Sequence, residues 1–422
     1  MNDYSQAPLG ARQAIQLKNT DMCVSCGMCL PHCPTYQLAR QESESPRGRL
    51  SLIRAALTRD LVIDDSMITH LDHCLLCHSC ESVCPVGIPF VKIMDEMKEG
   101  IHAHKKIRPV WKRVLFSLVA DRRKMQRLMR VFTGLHLARV LNLFSPIRMG
   151  GLSRYVQFAT LIKKAPHWQE YYPAEGDEKH KVALFLGCLQ EYFDSDSLSD
   201  AIRVLNKLGV SVTVPAEQQC CGAIHSHAGK SGTARKLFNA NKNAFGIPDI
   251  DEVVSLSSAC TVTLGEHVMC GSTGNADSSG KDQSALQVSD LMDYLEKIHW
   301  FENRSLGSVN KKIILHYPCT QKNSLRNTDV LDKLLSRIPE LDIAKMPIGI
   351  KCCGAAGVFS LDYPDWSDKL ASMALQPIDH ENYDVIITSN IGCALQFRKK
   401  VRSLKRVKVL HPISLVSQSL GL

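Results

Sequence analysis

All but one of the chain's seventeen cysteines fall into ordered sets whose spacing suits metal coordination by thiolate. Two runs, Cys23, Cys26, Cys29, Cys33 and Cys74, Cys77, Cys80, Cys84, each read C-x2-C-x2-C-x3-C, with Pro34 and Pro85 next in line. Thiolates three residues apart can wrap one face of a 4Fe–4S cubane, and the cysteine before the proline ordinarily ligates the other cluster of a pair. The spacing therefore predicts two 4Fe–4S clusters. One rests on Cys23, Cys26, Cys29 and Cys84, the other on Cys74, Cys77, Cys80 and Cys33. The prolines end each loop and remove a competing backbone donor. Structural zinc prefers paired C-x2-C motifs at tetrahedral geometry, and two complete runs ending in proline match it poorly. His32, His73 and His78 lie among these ligands, but cysteine already takes every ligand place.

The remaining thiols come in two matched quartets: Cys188, Cys220, Cys221, Cys260 and Cys319, Cys352, Cys353, Cys393. Neighbouring cysteines in Cys-Cys-Gly are awkward as a disulfide but can present two thiolates to one site, and the glycine lets backbone approach closely. A third cluster could sit here, and a fourth; the alternative is that one set serves packing alone. His225 and His227 follow the first Cys-Cys-Gly, and His316 precedes Cys319 by three residues. They could ligate metal, carry protons or bind a quinone head group, although a lone histidine near a turn is more often a structural hydrogen-bonding residue. Cys270 matches nothing in the second quartet and reads as a small buried residue.

Elements must bring these thiols together. Between the two runs, Pro46-Arg47-Gly48-Arg49 reads as a turn, followed by Leu50, Leu52, Ile53, Ala56 and Leu57 at helical spacing. Met67, Ile68 and Leu71 form a second apolar set leading into Cys74. Nothing there alternates as a strand does, so a helical two-cluster ferredoxin domain is expected. Further on, Lys181–Cys188 and Lys312–Cys319 each read as a buried strand ending on a cysteine. Each is followed by a helical stretch, by Cys-Cys-Gly, and by a strand (from Val253 or Val385) running to Cys260 or Cys393. The cysteine intervals are 32 and 39 residues in the first copy and 33 and 40 in the second, which points to duplication. Open α/β layers place ligands at the carboxyl ends of their strands. The predicted fold is α plus α/β: a helical ferredoxin-type domain (1–105), a basic helical connector (106–178) and two cysteine-rich α/β repeats (179–305 and 306–422). The Gly/Ser-rich stretch 271–285 reads as a surface loop.

Charge sets the connector apart. Thirteen of the chain's Lys and Arg residues lie between Arg108 and Lys164 against one acid, Asp121, interleaved with Trp111, Leu115, Phe116, Leu128 and Phe132. Such helices can lie on anionic lipid or dock an acidic partner; equally, they can pack across a domain junction. The N-terminus has no basic start followed by an apolar run, and no stretch reaches the length of a membrane span. With so many cysteines patterned for metal, a cytoplasmic chain is expected, peripheral at most on the inner face of the cytoplasmic membrane.

The arrangement resembles the iron–sulfur subunit of bacterial glycolate oxidase, with cysteine-rich repeats of the heterodisulfide-reductase type. The likeness is carried by Cys23-Val-Ser-Cys-Gly-Met-Cys29, Ser45-Pro-Arg-Gly-Arg-Leu50, His70-Leu-Asp-His-Cys74, Cys220-Cys-Gly-Ala223, Cys352-Cys-Gly-Ala-Ala-Gly357 and Thr388-Ser-Asn-Ile-Gly-Cys393. It implies an electron-transfer subunit of a glycolate dehydrogenase. FAD would sit on partner subunits that oxidise glycolate to glyoxylate, and electrons would pass toward membrane quinone. Equivalent roles in glycerol-3-phosphate or lactate oxidation are alternatives, as is a non-catalytic iron–sulfur regulatory or assembly protein. Each repeat ends in a single cysteine rather than the C-x2-C pair common in heterodisulfide reductase, which argues against non-cubane clusters and disulfide reduction. The residues agree on the partner. No dinucleotide or phosphate-binding loop and no acid–base pair stands out, and clusters do not accept hydride. No nucleic-acid recognition motif accompanies the basic stretch.

Overall fold

The computed structural model describes residues 17–104, 110–134, 161–271, 287–302, 304–346, 352–376, 382–403 and 407–422. Most of the Gly/Ser-rich stretch and connector residues 135–160 lie outside these residues, as does the side chain of Cys270.

The N-terminal part is helical, as its apolar spacing predicts. It comprises α1 (Pro34–Ala39), α2 (Pro46–Leu57), α3 (Asp65–Asp72) and α4 (Phe90–His104). The expected turn at Pro46 is instead the first turn of α2. Ser45 caps it by accepting from the Gly48 amide, and Pro46 sits where its missing N–H costs nothing. A side chain at position 48 would meet the Glu42 carbonyl at 1.9 Å, so glycine alone lets α2 begin this close to the preceding loop. Asp64 caps α3 through the Met67 amide. Leu50, Ile53, Leu71, Ile93 and Met94 bury a core that also holds Cys23, Cys74, Cys80 and Cys84 at its margin.

Two connector helices follow, α5 (Val110–Ala120) and α6 (Arg122–Gly134). Phe116, Val119 and Met125 are buried, and Leu115, Leu118 and Met129 pack with them against the first repeat. Val110 (73 % exposed), Trp111, Val114, Leu128 and Val131 stay in solvent. One face therefore packs across a junction while the other is exposed.

Each repeat is a parallel α/β layer. The first sheet has the order β1-β3-β2-β4-β5. Its strands are β1 (Tyr171–Tyr172), β2 (His180–Phe185), β3 (Val210–Thr213), β4 (Glu252–Ser255) and β5 (Val288–Asp290). Only β1, drawn from the connector span, runs antiparallel. The second sheet, β7-β6-β8-β9, joins β6 (Lys311–Leu315), β7 (Leu341–Lys345), β8 (Val385–Ile387) and β9 (Lys408–Leu410), all parallel. Strand side chains alternate between faces, and the two faces have different tasks. Val182, Leu184, Ile313 and Leu315 point into one core shared by both repeats, which Trp300 and the C-terminal helix residues Ile413, Leu415 and Val416 complete. Ala183 and Phe185 point the other way, into the cluster that holds Cys220, Cys221 and Cys260. Ile314 and Ile386 do the same for Cys353 and Cys393. Truncating a shared-core leucine to alanine would cost about 2–5 kcal/mol.

Candidate metal centres

The sixteen patterned cysteines are all free thiols, and they gather into four groups. Cys23, Cys26, Cys29 and Cys84 line one recess, with Pro46 and Cys80 on its far wall. Cys33, Cys74, Cys77 and Cys80 line a second, which shares Cys80, Pro46 and Phe90 with the first. The two cysteine loops follow one backbone course. Ser25 and Gly27 in the first, and Leu76 and His78 in the second, have positive φ at matching places. A left-handed leucine or histidine is strained by about 1–3 kcal/mol, so each loop holds a shape it would not choose alone. Burial pushes the Cys77 and Cys80 thiols well up, and neighbouring thiolates add to it. Burial also raises Cys74, against Arg49 and Lys98, whose charges favour its thiolate. Metal binding would remove such protons.

In the first repeat, Cys188 follows β2, Cys220 and Cys221 follow β3, and Cys260 lies in the first turn of α7 (Ser258–Gly271) after β4. All four sit at carboxyl ends of parallel strands, where neighbouring crossovers leave a crevice. The Cys220 and Cys188 sulfurs are 3.4 Å apart. Hydrogen bonds from Cys220 and Cys260 hold the Cys221 thiol well below its ordinary range. The second repeat repeats the pattern. Cys353 and Cys393 sulfurs lie 2.8 Å apart, and the Cys393 contact lowers Cys353. Burial drives Cys319 up to about 12. Both Cys-Cys-Gly glycines have positive φ, and a side chain on Gly354 would meet the Ser367 carbonyl at 2.5 Å. The Gly222 and Gly354 amides each donate toward the first cysteine of their pair. Such a set of clustered, deprotonatable sulfurs with amide donors fits an iron–sulfur cluster chemically.

The four groups form a series. Cys77 and Cys352 pack in one apolar cluster with Leu75, Phe359 and Leu370, and Asn323 donates to the Cys77 carbonyl at 2.7 Å. The quartets of the two repeats are tied near their cysteines: Ser258 bonds Thr320 at 2.7 Å and accepts from Asn390 at 3.3 Å.

Sequence reasoning passed over a buried polar knot behind the second recess. Glu44 accepts from His70 at 2.7 Å and His73 at 2.8 Å on one oxygen, and from Arg49 at 2.6 Å on the other. Burial opposes ionisation of Glu44, but these donors outweigh it and hold its carboxyl below the usual range. Arg49 also donates to Thr35, to the Glu44 carbonyl and to the His70 carbonyl. Thr35 lies 3.3 Å from the Cys33 sulfur, and the His73 ring packs on Trp366 and Tyr363 of the second repeat. With its oxygens satisfied and Arg49 beside it, Glu44 suits a clamp better than a metal. The available signal was the presence of Arg49, His70 and His73 in the quoted family motifs.

The other histidines separate. His225 is buried and bonds the Phe116 carbonyl at 3.1 Å; burial lowers its pKa. His316 bonds Thr388 at 3.0 Å and sits edge-on to Phe397. His227 lines a recess beside Cys74, 3.8 Å from Asp95. His78 bonds Glu81 at 2.7 Å. In the connector, Arg122 is an internal ion-pair partner of Glu191 (3.0 Å) rather than a surface charge. Lys112 pairs with Asp362 of the second repeat at 2.7 Å. Arg113, Arg123, Lys124, Arg127 and Arg130 remain exposed.

Residues 19–88 match the family described as "4Fe-4S dicluster domain", and residues 182–265 and 313–398 match "Cysteine-rich domain". The chain is 30% identical over 403 residues to "Glycolate oxidase iron-sulfur subunit" of Escherichia coli (strain K12), covering 94% of this chain and 93% of that one. It is 26% identical to "Probable glycolate oxidase iron-sulfur subunit" of Bacillus subtilis (strain 168), covering 94% of each. "Lactate utilization protein A" of the same Bacillus is 27% identical, over 55% of this chain and 96% of its own length.

Proposed function

The chain belongs to the family of glycolate oxidase iron–sulfur subunits, and from that premise we propose that it carries electrons from a flavoprotein oxidising a 2-hydroxy acid, glycolate first, toward membrane quinone. The partner flavoprotein holds the FAD and the substrate; this chain holds only carriers. Cys23, Cys26, Cys29 and Cys84 bind one 4Fe–4S cluster, and Cys33, Cys74, Cys77 and Cys80 bind the other. The quartets Cys319, Cys352, Cys353, Cys393 and Cys188, Cys220, Cys221, Cys260 bind a third and a fourth. When bound, such clusters supply one-electron storage and transfer at potentials set by charge, burial and hydrogen bonds to sulfur.

The observation that carries the reading is the unbroken series of thiol groups. Shared residues join the first two recesses; Cys77 packs with Cys352; Ser258, Thr320 and Asn390 join the repeats. The chain's own residues keep these sites dry and fixed. Leu75, Phe359 and Leu370 exclude water between the second recess and the second repeat. Glycines at the Cys-Cys-Gly turns let helices approach the sulfurs. The connector's exposed basic face, Arg113 to Arg130, with Trp111 and Val114, offers an attachment surface for anionic lipid or an acidic partner. Among the described residues no helix is long and apolar enough to cross a membrane.

A second reading, the same role in lactate oxidation, is favoured by the match to Lactate utilization protein A over much of this chain. Anaerobic mixing of the chain with its flavoprotein partner and glycolate, lactate or glycerol-3-phosphate, followed by EPR, tests both. Glycolate should reduce the clusters within turnover time. Reduction by lactate alone would move the assignment to the second reading, and reduction by none would end the carrier reading. Cys77→Ala should remove or convert one cluster while the repeats stay folded.

A further inference from the structure

A recess of ≈ 160 Å³ opens where the ferredoxin domain, the connector and both repeats meet. Cys74 forms part of its wall, with Lys98 and Ile101 of α4, Lys112 and Phe116 of α5, His227 of the first repeat and Phe359 and Tyr363 of the second. Lys98 is 9 % exposed and has no hydrogen-bond or ion-pair partner among the described residues. Long cationic side chains bury their stems and keep the charged head accessible, so Lys98 can present its ammonium to the recess it lines. The His227 Nδ1 and Asp95 Oδ1 atoms nearby, 3.8 Å from each other, are buried without a hydrogen-bond partner. The loop bearing His227 reaches the recess because Gly229 lies against α4, where a side chain would meet the Lys98 carbonyl at 2.4 Å.

Resting on the carrier reading above, we propose that this recess binds the ring of a quinone and is where the chain's electrons leave it. Three features select that chemistry. The volume is close to the ~150 Å³ apolar cavity that takes up a benzene ring. The walls are aromatic and aliphatic where a flat ring would lie, at Leu76, Phe116, Val358 and Phe359. Two ammonium-bearing residues, Lys98 and Lys112, line it, and an ammonium suits a carbonyl oxygen that gains negative charge on reduction. Lys112 is held by Asp362, so Lys98 is the free donor. The cysteine on the wall belongs to the second ferredoxin set, so a ring here needs no further carrier. The quinone takes two electrons, delivered singly from reduced iron–sulfur clusters that the flavoprotein refills, and two protons from water, leaving as quinol. The apolar row Val110, Trp111 and Val114, on the other side of α5 from Lys112 and Phe116, is exposed and suits contact with the lipid that would carry the quinone.

The test uses the whole, cluster-loaded chain and a short-tailed naphthoquinone. Equilibrium binding to the oxidised chain is measured alongside reoxidation of the dithionite-reduced chain by the same quinone and by ferricyanide. Lys98→Met removes the donor, and Val358→Phe fills the recess without changing charge. Each should weaken quinone binding by about tenfold or more and slow quinone-driven reoxidation to match, with ferricyanide reoxidation per loaded cluster unchanged. Wild-type binding in both variants, or no binding by the parent chain, overturns the site. If ferricyanide also fails to reoxidise the parent chain, the carrier reading has failed rather than the site alone.

Discussion

Replacing Arg49 with methionine should loosen the second cysteine loop more than any other single change outside the cysteines. Arg49 is 1 % exposed and makes four hydrogen bonds of 2.6–3.1 Å, to Glu44 twice, to Thr35 and to the His70 carbonyl. These bonds tie the Cys33 loop and the end of α3, which runs into Cys74, to one guanidinium. Methionine fills much of the stem's volume but leaves the Glu44 carboxylate, itself 2 % exposed, with only two histidines. Removing one partner of a buried pair costs about 3–5 kcal/mol, chiefly because the other charge stays buried. In a unit of this size that lowers the unfolding midpoint by roughly 10 °C or more. The assay is anaerobic thermal unfolding, followed by far-UV circular dichroism and by cluster absorbance. Adding Glu44→Gln to Arg49→Met should recover about 1–3 kcal/mol of the summed losses, because contacting residues couple. A loss below about 1 kcal/mol for Arg49→Met, or strict additivity in the pair, would refute the clamp.

Thr35→Val removes the hydroxyl 3.3 Å from the Cys33 sulfur. Hydrogen bonds to cluster sulfurs stabilise the reduced state, so the potential of that cluster should fall by on the order of 40 mV, measured by EPR-monitored redox titration; an unchanged potential would assign the Thr35 proton to the Glu44 carbonyl alone. His411 is buried and pushed down to about 4, mainly by desolvation. The unfolded imidazole titrates near about 6.5, so the unfolded chain binds the extra proton between those values. Stability present above about pH 6.5 should therefore be lost as pH falls toward 4, by at most about 3 kcal/mol. His411→Gln should flatten that slope in urea unfolding across the range. Replacing Arg123, Lys124, Arg127 and Arg130 by glutamine should weaken attachment to anionic vesicles or to the partner complex in low salt, read by co-sedimentation, and leave stability within about 0.5 kcal/mol. Arg122→Ala should instead destabilise the chain, since it strands Glu191.

Much of this architecture was legible because cysteine spacing and strand pattern are local signals. The two runs, the duplicated intervals and the buried strands at Lys181 and Lys312 could be read from type and separation alone. The start of α2 could not. A proline followed by glycine reads as a turn, and only the cap at Ser45 and the close approach to Glu42 make it a helix. The dual character of the connector was likewise hidden. Composition cannot say that Arg122 turns inward to Glu191 while Arg123 stays outside. The knot on Glu44 needs three segments to converge, at Thr35, at Arg49 and at His70 with His73, and such convergence leaves little trace in a single sequence. Lys98 reads as an ordinary polar residue of an amphipathic helix, and its burial follows from the loop that Gly229 brings against it.

The most direct test of the central claim is iron, acid-labile sulfide and zinc per chain in anaerobically purified protein, read together with low-temperature EPR. Four loaded thiol groups predict about sixteen iron and as many sulfide, and loss of the more exposed sites would still leave about twelve. Reduced spectra should show magnetic coupling between neighbouring clusters. About eight iron or fewer would remove the repeats from the path, and zinc without sulfide would contradict the account as a whole.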